Sequence, residues 1–159
     1  MDEAVALYDE AILILRDMGA RVLLGPSLIS MAYALRNTRD DNRAARLPRE
    51  LLEYEHDGGL NTLVPEALAA LSGMLLAAKL PLDGARALGA GEKHQGPIER
   101  PEQLQQAADR QALIDAFGER VFENEYAAGR AMGRADLNAF AEACLRALLT
   151  TEGQQEPTE

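Results

Sequence analysis

Two histidines, one cysteine and a surplus of carboxylates are the side chains in this chain that could act as base, nucleophile or metal ligand. The densest polar group is Glu53, Glu55, His56 and Asp57. A zinc-hydrolase helix needs two histidines four apart around a glutamate, H-E-x-x-H, and no second histidine lies near His56. A histidine just ahead of Gly58-Gly59 suits instead the C-terminal end of a helix, where the dipole favours a cation. His94, between Lys93 and Gln95, reads in the same way as a solvated loop entry. Cys144 falls inside an apolar stripe with Leu137, Phe140, Ala141, Leu145 and Leu148, which predicts a buried, inert thiol. Gly89-Ala90-Gly91 is a G-x-G with no preceding strand and no third glycine, and nothing matches G-x-x-x-x-G-K-[ST]. The expectation is a protein that is not an enzyme and uses neither cofactor nor metal.

Composition narrows the class. The chain has 159 residues, 47% of them hydrophobic and only 4% aromatic, with no tryptophan. Abundant Ala and Leu suit close helix packing and argue against a β-sandwich. The formal net charge is -10, from 26 acidic and 16 basic residues. Such a surface repels phosphate backbones and anionic lipid, so neither direct nucleic-acid nor membrane binding is expected. A single cysteine excludes an intramolecular disulfide, and no apolar run reaches ~18 residues. These features predict a soluble cytoplasmic protein.

The elements that must position these side chains repeat. Leu28, Met31, Ala32 and Leu35 are spaced i, i+3, i+4, i+7 and mark one face of a helix. A polar break follows, then a second helix with Ala44, Leu47 and Leu51 that stops at Gly58-Gly59. A shift of 40 residues brings Leu68, Leu71, Ser72 and Leu75 onto the first set, and Gly84-Ala85-Arg86 onto Ala44-Ala45-Arg46. A helical hairpin in each period predicts an all-α, right-handed α-solenoid. Pro26 is expected to open its helix, and Pro48 to kink the next one or delay its start. Small residues, Ala32 with Ala44 and Ser72 with Gly84, fall where paired helices would cross. The expected layout is a half repeat 1–19, repeats 26–59 and 64–95, a linker 96–101, three C-terminal helices over 102–149 forming a cap, and a disordered tail 150–159. Asp136 is the expected N-cap of the last helix.

This pattern resembles tetratricopeptide repeats, through Leu28, Met31, Ala32, Leu35, Asp40, Ala44 and Leu51 and their counterparts 40 residues on. The whole layout resembles more narrowly the C-terminal end of large bacterial LuxR-type and maltose-activator-type transcriptional regulators. The residues that carry this are Ala85 to Ala90, Gly96-Pro97-Ile98, Phe117-Gly118-Glu119 and Ala128 to Met132. Pro48 and Leu88 depart from that family, standing where it has an aromatic or leucine pair. The resemblance implies a fragment of a signal-responsive regulator, in which this repeat domain follows an NTPase domain and regulates it.

A solenoid recognises its partner through the concave face. Ile29, Ser30, Tyr33, Arg36 and Asn37 lie off the core stripe of the central hairpin and are the candidate binding residues, with Tyr33 as amphipathic platform and Arg36 as charged anchor. They imply a protein or peptide partner. The rival function is a small-molecule effector sensor, with a closed pocket lined by Tyr33, Leu76 and Phe122. The first helix is apolar over half its circumference, with Leu7 and Ile14 on one edge and Val5 and Ile12 on the other. One edge is left uncovered by this layout, which predicts a homodimer or self-association through that helix.

Overall fold

The computed structural model describes residues 2–36, 38 and 41–152, and every regular element among them is helical. In chain order they are α1 (Asp2–Asp17), α2 (Arg21–Leu35), α3 (Asp41–His56), a single 3-10 turn (Leu60–Thr62), α4 (Val64–Ala77), α5 (Pro81–His94), α6 (Arg100–Phe117), α7 (Glu119–Ala131) and α8 (Arg134–Glu152). The all-α class is as expected. The tail 153–159 and the turn residues Asn37, Arg39 and Asp40 lie outside the described residues.

The apolar stripes read from the sequence are the ones that pack. Leu28, Met31, Ala32 and Leu35 of α2 and Leu68, Leu71 and Leu75 of α4 are buried in one core with Leu47 and Leu51 of α3. The stripe of α8, Leu137, Ala141, Cys144, Leu145 and Leu148, closes the same core against α3 and α4. A second, smaller core holds Ala85, Leu88, Leu113 and Phe122, with Leu76 packed on it. The three C-terminal helices therefore divide their work. α6 and α7 cover α5, and α8 returns to the first core.

Local expectations about proline need correction. Pro26 lies inside α2, which starts five residues earlier at Arg21. A proline there deprives the Val22 carbonyl of its i+4 donor. Val22 is exposed, so water can serve that carbonyl. Pro48 is likewise inside α3, and the helix begins well before it. Pro101 belongs to the first turn of α6, where its missing N–H removes no bond. Glu99 caps that helix, and the Glu102 carboxylate accepts from the Glu99 backbone N–H at 2.8 Å. The non-helical connector thus ends at Glu99. Asp136 sits within the first turn of α8 and donates its own N–H to the Gly133 carbonyl at 3.0 Å. Thr150 and Thr151 remain helical, each bonding a carbonyl of its preceding turn at 2.9 Å.

Glycine fixes the tightest contacts. A Cβ on Gly84 would lie 2.8 Å from the Ser72 carbonyl oxygen, and one on Gly91 2.6 Å from that of Pro65, so α5 meets the α4 backbone directly. On its other side, Gly89 abuts the Tyr126 carbonyl and Gly129 abuts that of Arg86, a reciprocal pair between α5 and α7. The Ser72–Gly84 crossing matches the sequence register. Ala44 is half-buried, packed on the first core beside a cleft of about 200 Å³.

Gly89→Ala and Gly129→Ala should each destabilise the fold by about 1–3 kcal/mol through overpacking, against a helix-propensity gain of up to ~1 kcal/mol. Gly96→Ala, with open space around its Cβ, should be close to neutral. Urea denaturation followed by circular dichroism compares the three.

Candidate binding groove

The candidate residues of α2 do not share one surface. Ile29, Ser30 and Tyr33 line a groove of about 260 Å³ between α2 and the connector that enters α6, with Glu66, Ile98 and Glu102 opposite, but Ile29, expected off the core, is buried in the first core and touches the groove only at its floor. Arg36 turns away from it and pairs with Asp109 of α6. Asn37 lies outside the described residues.

The Arg36–Asp109 pair is buried, the two side chains being 11% and 1% exposed. Both guanidinium Nη atoms donate to the carboxylate in a bidentate contact. Ser72 Oγ donates to the same carboxylate at 3.1 Å, and Gln105 Nε2 at 3.3 Å. The guanidinium passes over Gly73, where any Cβ would overlap it. Tyr33 is held one helical turn away: Gln106 Nε2 donates to its hydroxyl at 3.0 Å, and Gln106 also bonds Gln95. Burial is the main reason the Tyr33 phenol is pushed up to about 12, so its ring stays neutral. Two residues expected to recognise a partner are thus bonded to the chain's own α6. Nothing in the spacing of Asp109 or Gln106 signals this, since each partner lies 73 residues away.

The groove that remains has apolar walls and carboxylates. Glu99 and Glu102 satisfy each other's backbone in the α6 cap. Glu66, in the first turn of α4, has a buried Oε2 with no hydrogen-bond partner among the described residues. It forms a wall shared with a second, more polar cleft of about 380 Å³ that includes His94, Arg134 and Asn138. The arrangement can hold a cationic or donor group beside an apolar one.

The other chemistry-bearing residues are dispersed. His56 is exposed at the end of α3. His94, expected in a solvated loop entry, is the last residue of α5 and half-buried, and its Nε2–H donates to the Met132 carbonyl at 3.0 Å, tying α5 to the end of α7. Cys144 is buried, and burial pushes its thiol up to about 12. Leu76 and Phe122 pack in the second core, whereas Tyr33 packs on the first, so the three do not enclose a common pocket. Among the described residues no three His, Cys, Asp or Glu side chains are grouped to hold a metal, and no helix is long and apolar enough to cross a membrane. No protein-family model, curated protein or solved structure matches this chain.

Arg36→Ala and Asp109→Ala should each cost about 3–5 kcal/mol, because each leaves a buried charge without its partner. The double variant should cost less than the sum, and a double-mutant cycle by urea denaturation measures the difference.

A second expectation concerns alkaline pH. Tyr33 and Cys144 have folded values near 12 against 10.0 and 9.0 as ordinary groups. As pH rises from about 9 to 12, the unfolded chain releases these protons while the folded chain keeps them. Stability should therefore be fully present below pH 9 and fall above it, by up to ~1.4 kcal/mol per pH unit and group. Melts at pH 8 and about 10.5 should show the loss, reduced in Tyr33→Phe/Cys144→Ala.

Proposed function

We propose that this chain is a non-catalytic protein-interaction and regulatory domain, built of tetratricopeptide-like hairpins, that docks a peptide segment in the groove between α2 and the α6 connector. The observation that carries this reading is the groove itself, which collects Ile29, Ser30 and Tyr33 beside the unpartnered Glu66 oxygen. Its volume of about 260 Å³ lies below the ~300–1,000 Å³ of sites that engulf drug-sized ligands. That size suits one or two anchor side chains of a protein partner better than an enclosed effector. The antiparallel α4–α5 hairpin, with its small-residue crossing, supports the repeat assignment. The sequence resemblance then makes a bacterial signal-responsive transcriptional regulator the natural parent, with this domain acting on its other parts.

Panning a random 12-residue peptide library against the immobilised chain tests the reading. Enriched peptides should compete with one another and bind at least tenfold more weakly to Ser30→Trp, which fills the groove from a half-buried position. Enrichment of no sequence, or peptides indifferent to this variant, would rule the groove out as a docking site.

A further inference from the structure

Eight large apolar side chains stand exposed among the described residues, and six of them belong to α1, the turn after it and the start of α2: Leu7, Leu13, Ile14, Met18, Val22 and Leu23. Exposure reaches 72% at Met18 and 86% at Val22. Val5 and Ile12, on the other edge of the α1 arc, are buried against α2. The uncovered edge is therefore the Leu7–Ile14 edge. Leu7 and Ile14 lie within about 20° of each other on the helix, and a concentration of exposed apolar side chains of this kind marks a candidate interaction surface.

Charge decides what fits it. Glu3, Glu10 and Asp17 recur every seven residues along α1, about 10.5 Å apart. They form a row about 40–60° round the helix from Leu7 and Ile14. All three are exposed, and none has an ion pair or side-chain hydrogen bond among the described residues. The charged residues on the inner side of the same helix are paired: Asp9 with Arg43, and Arg16 with Glu50. A second copy of this chain would bring an identical acidic row, and each copy carries a net charge of -10. Anionic lipid is repelled by the same row.

We propose that this face docks an amphipathic helix of a partner protein. The partner's apolar stripe lies on Leu7, Ile14 and Met18, and its lysines or arginines, seven residues apart, face Glu3, Glu10 and Asp17. This is the helix-on-helix mode of recognition, with register set by the charge row. It shares with the reading above only the premise that the chain binds protein, and it uses a different surface from the groove.

Two labelled 21-residue helical peptides test it, one with a leucine stripe flanked by lysines at seven-residue spacing, the other with glutamates in their place. Fluorescence anisotropy should show the lysine peptide binding at least tenfold tighter, with the gap closing in 1 M NaCl. Glu3→Lys/Glu10→Lys/Asp17→Lys should reverse the preference. Leu7→Ser/Ile14→Ser should lose both peptides while keeping its helical circular dichroism, since both positions are exposed. No binding, equal binding of the two peptides, or lysine-peptide binding that survives the serine substitutions would overturn the proposal. So would light scattering that finds a dimer with α1 protected from hydrogen exchange, which would assign the strip to a second copy. Ser30→Trp should leave lysine-peptide binding intact, so failure of the groove and failure of this face are separable.

Discussion

The structure depends on how closely three helix backbones approach one another. α5 carries Gly84 and Gly91 against α4 and Gly89 against α7, and Gly129 of α7 completes the second crossing. Each glycine in a helix interior costs about 1 kcal/mol relative to alanine, so α5 is a poor helix in isolation. Packing supplies what propensity lacks. Ala87 and Ala90 face the larger core while Ala85 and Leu88 face the smaller one, so α5 is the wall between the two. A helix buried on nearly every side needs small residues all round, and its composition follows from that position.

α6 and α7 pack on α5, and α6 comes within reach of α2. The Arg36–Asp109 pair bridges them over the notch left by Gly73. A buried ion pair is weak evidence for net stability, because desolvation of both charges offsets most of their attraction. Its consequence is positional. Only one placement of α6 lets Asp109 meet Arg36 and Ser72 while Gln106 meets Tyr33. That placement covers part of the face that α2 and α4 would otherwise present and leaves the narrower groove at its edge.

The parts of this fold legible in the sequence are those governed by local periodicity. Leu28, Met31, Ala32 and Leu35 are buried because a 3.6-residue repeat leaves them no other face, and the α8 stripe follows the same rule. Gly84 was readable as a crossing because it recurs in register with Ala44. Helix starts near proline were not. Arg21 to Gly25 is a passable helix segment that hydrogen-bonds ahead of Pro26, and the exposed first turn tolerates the lost donor. Ala44 shares the register of Gly84 but is only half-buried, and α3 packs on α8 as well as on α2. The candidate site was half legible. Off-stripe position marked Ser30 and Tyr33 as less buried than the core stripe, but it misplaced Ile29, which is buried in the first core, and whether Arg36 met solvent or a partner depended on a carboxylate 73 residues away.

The distribution of charge carries the functional argument further than any single residue. Among the described residues, several partly buried carboxylates are matched, Asp9 by Arg43, Glu50 by Arg16, Glu125 by Arg86, Glu92 by Arg110 and Asp109 by Arg36, whereas the buried Glu66 oxygen is not. The excess that makes the net charge -10 must therefore lie on the outside or at sites left open. Two of the places where it gathers, the Glu3–Glu10–Asp17 row and the Glu66 wall of the groove, each adjoin uncovered apolar surface. Apolar area gives association its driving force without choosing a partner. Unmatched charge beside it does the choosing, since like-charged surfaces are turned away and oppositely charged ones are steered in. If the two proposals hold, both surfaces favour the same property in a partner, a basic segment with an apolar side.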